Sequence, residues 1–356
     1  MNPIRLAIVG CGHLGRIHAR LAKEIDLFQL VGLVDPCPTA REQVARDTGL
    51  PVAKHFSSLC EPIDAAVVAV PTCWHHQVGL DLLRAGVHVF IEKPIASSLR
   101  QADEILEVAS QHQKLVQVGH IEEFNPAFQT VRSRLESPRY IEAVRTSGYT
   151  FRSTDIGVVL DLMIHDLDLV VSLAQSEVQD VQALGLSLLG DHEDMAQARI
   201  TFQNGCVANL TASRTSFQSE RRLQAYTPSG FTSIDFAEST ASYIDPDPRI
   251  LNGPLDIQQM TPQQREQIKE HLFEDMLPVR HAKVSPCNAL QEELLDFAHS
   301  ILESRAPRVT GSRARSALSV AEQILHQIEV HPWNGIHPGP RGPLARTLPN
   351  VLRPAA

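Results

Sequence analysis

No lysine- or arginine-rich block dominates the 356 residues, and acids outnumber bases 41 to 32 for a formal net charge of −9. That balance argues against a phosphate-driven role on nucleic acid or a membrane surface, while leaving room for a local basic pocket that takes an anionic metabolite. Long apolar runs are also lacking: none reaches the roughly 18 residues that a membrane span requires. The N-terminus reads as a strand instead of a charged region followed by a long apolar one, so a cytoplasmic protein is expected. Cysteine is scarce and scattered. Cys11, Cys37, Cys60, Cys73, Cys206 and Cys287 form no C-x-x-C pair, so neither a zinc cluster nor a disulfide framework is indicated, and they read as reduced, mostly packed thiols. No repeat of solenoid period occurs.

What is present is ordinary globular material, 43% hydrophobic and 21% charged. That suffices for buried cores, and the length suggests about two domains. Through residue 120, short apolar runs (Ile4–Val9, Leu30–Val34, Ala65–Val70, His88–Glu92, Leu115–Val118) alternate with helical patterns over Leu14–Glu24, Arg41–Thr48, His76–Ala85 and Leu99–Gln111. This is the sign of a parallel sheet with right-handed crossovers, a Rossmann dinucleotide-binding domain over residues 1–120. Residues 121–331 change texture. One helix is expected over Asp155–Ala174, and strands over Asp180–Leu189, Met195–Phe202, Cys206–Ser213 and Leu223–Thr227, with Asn204-Gly205 as a hairpin turn. In Met195–Phe202 the even-numbered Ala196, Ala198, Ile200 and Phe202 share one face and Gln197, Arg199 and Thr201 the other, so one face packs on helices. An α+β domain with a largely antiparallel, open-faced sheet follows, and α/β is the class of the whole. After a polar stretch, Asn288–Glu303 and Arg313–Glu329 form two amphipathic helices, and 332–356 is a Pro-, Gly- and Arg-rich tail.

The first apolar run leads straight into Gly10-Cys11-Gly12-His13-Leu14-Gly15, a G-x-G-x-x-G between a strand and a helix. Gly10 allows the tight turn, Gly12 the approach of a pyrophosphate and Gly15 close helix packing, while the N–H groups of the helix start supply positive potential. Asp35 lies twenty residues past Gly15 at the end of the second strand, where an acid bonds the adenosine ribose. Pro36 and Cys37 after it offer no cation for a 2′-phosphate, which favours NAD over NADP. A turn-forming Asp before Pro is the other reading.

Val70-Pro71-Thr72, His75 and Glu92-Lys93-Pro94 come next, in that order. Together with the glycine loop, this constellation resembles the oxidoreductase family that includes glucose–fructose oxidoreductase and inositol dehydrogenase, over roughly residues 3–330. The resemblance implies that Pro71, Thr72, His75, Glu92 and Lys93 line the cofactor site and that the Lys93–Pro94 bond is cis. A Lys at a strand's carboxyl end, at the switch-point crevice, is placed to hydrogen-bond a reacting hydroxyl and favour the developing alkoxide.

In the second domain, Asp161 and His165 stand four apart on a helix and so share a face. They match the family's D-x-x-x-H helix, which makes His165 the candidate general base and Asp161 the residue that orients it or the sugar. An imidazole, with an ordinary pKa of about 6.5, suits that task. Capping, ion pairing or metal binding are the other uses of three acids and a His in eight residues, and two ligands are too few for a metal, so none is expected. Gly119-His120-Ile121-Glu122-Glu123-Phe124-Asn125-Pro126 resembles the G-H-x-x-R-F-N-P segment of members acting on UDP-linked N-acetylamino sugars, with Glu123 in place of the usual Arg. This implies a substrate contact at Asn125. Val158–Leu169 and Asn209–Arg214 are similar to the UDP-N-acetylglucosamine 3-dehydrogenase subgroup. Arg145, Arg152 and Arg214 are candidates to hold a diphosphate, or equally strand residues whose stems lie on apolar surface.

The resulting expectation is NAD-dependent oxidation of a ring hydroxyl of a nucleotide-linked sugar, C3 of UDP-N-acetylglucosamine above others, in the cleft between the domains. The alternatives are an inositol or free-sugar dehydrogenase, an enzyme that recycles bound NAD, and a silent NAD- and sugar-binding sensor, against which the retention of Lys93, Asp161 and His165 argues. The family's use of the open sheet face implies a homodimer or homotetramer.

Overall fold

Ile4–Val9, almost wholly apolar and buried, forms β1 at the centre of the first sheet of the computed structural model, which describes residues 2–151, 156–253 and 255–331. The chain continues through α1 (His13–Lys23), β2 (Phe28–Val34), α2 (Pro38–Thr48), the two-residue β3 (Val52–Ala53), β4 (Ala65–Val68), α3 (His75–Arg84), β5 (His88–Glu92), α4 (Leu99–Gln111) and β6 (Val116–Gly119). All neighbours pair in parallel, in the order β3-β2-β1-β4-β5-β6. Strand order therefore reverses between β1 and β4, the switch point at whose carboxyl end a dinucleotide binds. The sheet is buried on both faces, as its near-continuous apolar strands require. Helix boundaries follow local chemistry: Pro38 opens α2, Gly49 closes it at φ +66°, and the Ser98 side chain caps α4. β4 stops at Val68, two residues short of the apolar run, because the chain turns at Pro71.

The second unit contains α5 (Pro126–Val131), β7 (Tyr140–Thr146), a π-helical turn Val159–Met163 running into α6 (Ile164–Ala174), then β8 (Val178–Leu186), β9 (Met195–Phe202), β10 (Val207–Ser213), β11 (Glu220–Thr227), β12 (Gly230–Asp235) and β13 (Thr240–Ile244). After α7 (Pro248–Leu251) and α8 (Pro262–His271) comes the edge strand β14 (Val279–His281). The sheet order is β14-β13-β12-β11-β7-β10-β9-β8, antiparallel except for the parallel pair β7 and β10. β9 and β10 form the expected hairpin, with Gly205 at φ +83° and the Asn204 side-chain oxygen accepting from the Cys206 amide. The expected inner face, Ala196, Ala198, Ile200 and Phe202, is fully buried. The opposite face is polar: Asn209 donates to the Tyr140 hydroxyl and Arg222 to Glu142.

The chain then forms α9 (Ala289–Leu302) and α10 (Gly311–Val330). Here packing departs from chain order. Leu294, Phe297 and Ala298 of α9 share one core with Leu6, Ile8 and Phe90, so the first unit comprises residues up to Asn125 together with Cys287–Glu322. A division at residue 120 alone assigned these helices to the second domain. The thiols also differ from expectation. Cys11 and Cys206 are buried, but Cys37, Cys60, Cys73 and Cys287 are exposed, all in turns or at helix starts, and all six are free. Among the described residues no helix is long and apolar enough to cross a membrane. The tail from residue 332 lies outside the described residues.

Candidate functional site

Two of the three glycines in the first loop are demanded by the protein's own packing, and the third faces open space. A Cβ on Gly10, which sits at φ +102°, would lie 2.3 Å from the Ala69 carbonyl oxygen, and one on Gly15 would lie 1.8 Å from that of Gly10. Around Gly12 nothing stands within 4 Å. Gly12 is the N-cap of α1, no side chain caps that end, and no acid occupies its first turn. The main-chain N–H groups of the exposed residues His13 and Leu14 thus begin a helix whose positive end carries no side-chain cap among the described residues, which fits a pyrophosphate. Asp35 braces the loop from the end of β2, accepting from the Cys11 amide and from the Cys37 amide, each at 2.8 Å. Arg41, in the first turn of α2, donates to the carbonyls of Asp35 and Pro36 at 2.7 and 2.9 Å. A cation therefore does stand beside Asp35. The two residues after Asp35, Pro36 and Cys37, did not reveal it because the helix turn brings it back.

At the ends of β4 and β5 the chain makes two turns held by one imidazole. Pro71 precedes the 3-10 turn Thr72–Trp74, and Lys93–Pro94 is cis. His75 is buried, its Nδ1 2.8 Å from the Pro94 carbonyl and its Nε2 2.9 Å from the Val70 carbonyl. Burial pushes its pKa down. Both ring nitrogens face main chain, so His75 positions the two turns and has no ring nitrogen left to contact a cofactor. Glu92 is buried and lies 2.6 Å from Nε2 of His18, a residue of α1 that sequence reading passed over. Its signal is weak: a lone His three positions after Gly15. Burial pushes Glu92 up, but the hydrogen bond from His18 and the neighbouring Lys93 ammonium outweigh it, and its pKa lies below the ordinary carboxylate value.

Downstream of β6, Asn125 closes the 3-10 turn Ile121–Phe124 and its side-chain amide lies 3.5 Å from Glu122. Glu123 is buried and paired with Arg313 of α10 at 2.8 Å, so this carboxylate is met by a guanidinium from elsewhere in the chain.

In the second unit, Asp161 lies in the π-helical turn and His165 in α6, both half-buried. The extra residue of a π-turn is a frequent mark of functional sites. Glu193 holds the start of this segment: its carboxylate accepts from the Val159 amide at 3.1 Å, and a Cβ on Gly157 would fall 1.9 Å from it. Burial pushes the Glu193 pKa up, the Val159 amide notwithstanding. Two of the three arginines considered for a diphosphate are otherwise engaged. Arg145 is bound through Nε and Nη2 to both carboxylate oxygens of Asp166, at 2.9 and 2.8 Å, and Arg214 binds Asp194 at 2.8 Å and the Ile156 carbonyl at 2.8 Å. All four partners are buried, so these guanidiniums neutralise internal carboxylates in place of an anionic ligand. Arg152 lies outside the described residues. No cluster of three or more His, Cys, Asp or Glu side chains suited to a metal occurs among the described residues.

Residues 4–120 match the family described as "Oxidoreductase family, NAD-binding Rossmann fold", and residues 127–231 match the GFO/IDH/MocA C-terminal domain. UDP-N-acetylglucosamine 3-dehydrogenase of Acidithiobacillus ferrooxidans is 32% identical over 330 residues, 92% of this chain and 98% of the relative. A solved structure of UDP-N-acetylglucosamine 3-dehydrogenase from that organism aligns with a TM-score of 0.80 at 31% identity, covering 92% and 98% of the two chains. The scyllo-inositol 2-dehydrogenase (NAD(+)) of Bacillus subtilis is 29% identical over 235 residues, 60% of this chain and 68% of the relative. The WlbA dehydrogenase of Bordetella pertussis, solved with NADH and UDP-GlcNAcA, shares the fold at a TM-score of 0.74 and 16% identity, over 92% and 96% of the chains.

Proposed function

The chain belongs to the GFO/IDH/MocA family of oxidoreductases with NAD as cofactor, and from that premise we propose that it oxidises C3 of UDP-N-acetylglucosamine to the 3-keto sugar in the cytoplasm. The observation that carries this reading is the 32% identity that runs over 92% of the chain to a UDP-N-acetylglucosamine 3-dehydrogenase, where inositol dehydrogenases reach 29% over 60% of the chain or 23% over 92%.

Bound NAD supplies the hydride acceptor at nicotinamide C4. The glycine loop and the start of α1 bind the pyrophosphate, and Asp35 accepts from the adenosine ribose. Lys93, at the end of β5, hydrogen-bonds the carbinol oxygen and favours its alkoxide character. His165 accepts the hydroxyl proton, and Asp161, four residues earlier, orients the ring or the sugar. The hydroxyl proton would pass to the imidazole and the C3 hydrogen, with its electron pair, would be given up to bound NAD, so the oxidation to the ketone balances with NAD as the only oxidant. A 3-keto sugar is a substrate for a separate aminotransferase. Arg145 and Arg214 take no part in holding the diphosphate, since each is committed to an internal carboxylate.

The test is NADH formation with NAD and a panel of UDP-N-acetylglucosamine, UDP-N-acetylgalactosamine, free N-acetylglucosamine and myo-inositol, followed by NMR of the product. Turnover confined to UDP-N-acetylglucosamine with a C3 carbonyl is the expected result. Turnover of myo-inositol or free sugar alone would replace this substrate by that of the inositol dehydrogenases.

A further inference from the structure

Glu92 immediately precedes Lys93, and its carboxylate is locked below the rim of the sheet. Its Oε1 lies 2.6 Å from Nε2 of His18, the imidazole is fully buried, and the edge of the His18 ring packs on Phe90 with centroids 5.4 Å apart. The other oxygen has β6 against it: a Cβ on Gly119 would lie 2.9 Å from Oε2. The pair therefore joins the helix that follows the glycine loop to β5, the strand that leads into Lys93. Nδ1 of His18 is buried without a hydrogen-bond partner. A neutral ring donating from Nε2 leaves only an imine nitrogen unpaired there, whereas a charged ring would bury an N–H with no acceptor, a costlier defect. The pair as a whole is then anionic.

We infer that Glu92, held ionised by His18, is a buried negative charge beneath the nicotinamide site that favours binding of the oxidised cofactor over the reduced one. The nicotinamide half of a Rossmann sheet is the side of β4 and β5 beyond the switch point, and Glu92 ends β5. The oxidised ring is cationic and the reduced ring is neutral, so a fixed carboxylate nearby acts on their difference. Lys93 acts in the opposite sense, its ammonium disfavouring a second cation, and Glu92 offsets it. The groups facing Glu92 are His18 from α1, Lys93 on its own strand and His75 from α3, all of which favour its ionised form against burial. This goes beyond the hydroxyl oxidised, because it rests on the NAD site alone and not on the identity of the sugar.

The test measures dissociation constants of NAD+ and NADH for the same preparation, by calorimetry and by fluorescence, without substrate. For Glu92→Gln the ratio of the NAD+ to the NADH constant should rise about tenfold, the size of one charge–charge interaction across a partly dry site. A ratio within twofold of wild type would overturn the inference. His18→Leu supplies an independent arm and carries the test if Glu92→Gln does not fold. Without its donor Glu92 takes up a proton, so the ratio should be raised at pH 6 and return towards the wild-type value by pH 9, while the wild-type ratio stays level. A ratio in His18→Leu that is equal to wild type at both pH values would overturn it as well.

Discussion

Arg145 and Asp166 meet through two parallel hydrogen bonds, Nε to Oδ2 at 2.9 Å and Nη2 to Oδ1 at 2.8 Å, with 4% and 2% of the residues exposed. The pair ties the central strand β7 to α6 at the residue next to His165. Removing one partner leaves the other charged and buried, so Arg145→Ala or Asp166→Ala should cost about 3–5 kcal/mol of stability. Denaturant unfolding of each variant checks this. Losses below about 1 kcal/mol would mean that the pair is hydrated or rearranges.

In the proposed reaction Lys93 and His165 serve different parts of one transition state, charge and proton transfer. Lys93→Met and His165→Ala should each lower kcat by about 10²–10⁴-fold while changing the NAD dissociation constant far less. The double variant should lose less than the product of the two effects, because groups serving one transition state are not additive. Steady-state kinetics with the sugar that wild type turns over, alongside NAD titration, decides the matter. Near-normal turnover in both single variants would make the helix carrying Asp161 and His165 purely structural.

Asp35 braces the glycine loop and is proposed to accept from the ribose, so Asp35→Ala should weaken NAD binding by about tenfold or more. Removing its charge also exposes any 2′-phosphate to Arg41, which already lies on the Asp35 and Pro36 carbonyls. The gap between NAD and NADP should therefore narrow in Asp35→Ala and reopen in Asp35→Ala with Arg41→Ala. A wild-type preference for NADP would remove Asp35 from this role.

Burial raises the Glu193 pKa above its ordinary 4.5, so the folded state favours the protonated acid. Stability from this group is then fully present below pH 4.5 and lost as pH rises through the raised value. Glu193→Gln keeps an acceptor for the Val159 amide and removes the buried charge. Its melting temperature should exceed that of wild type at pH 8, with the difference vanishing near pH 4; a variant less stable than wild type at pH 8 would show that the ionised carboxylate supports the helix start.

The outer face of the second sheet, with Tyr140, Asn209 and Arg222 among its residues, is proposed as the subunit contact of a dimer or tetramer. Light scattering at micromolar concentration should give two or four chain masses. A strictly monomeric mass would refute it.

Local patterns were legible from residues alone. β1, β5, α4 and β9 begin and end where the apolar runs and caps place them, because their determinants lie within a few residues. The glycine loop was legible for the same reason: a strand, three glycines and a helix start are contiguous. β7 was not, although its burial alternates strictly, because one of its inward positions is Arg145 and a charged residue there hides the apolar period. The same blindness turned Arg145 and Arg214 into anion ligands. Their carboxylates lie 21 and 20 residues away in sequence, and nothing local says that they are internal partners.

The sequence by itself determined the dinucleotide loop, the parallel pairing of the first domain, the alternating faces of the second sheet and the places of Lys93 just past β5 and of Asp161 and His165 on one helical segment, since each depends on spacing along one strand, turn or helix. Tertiary structure alone decided which charges are neutralised within the fold, that α9 returns to the first core, and that His18 meets Glu92 across 74 residues of chain. Burial and electrostatics act through space, and a buried carboxylate selects its partner by the position the fold supplies, not by distance along the sequence.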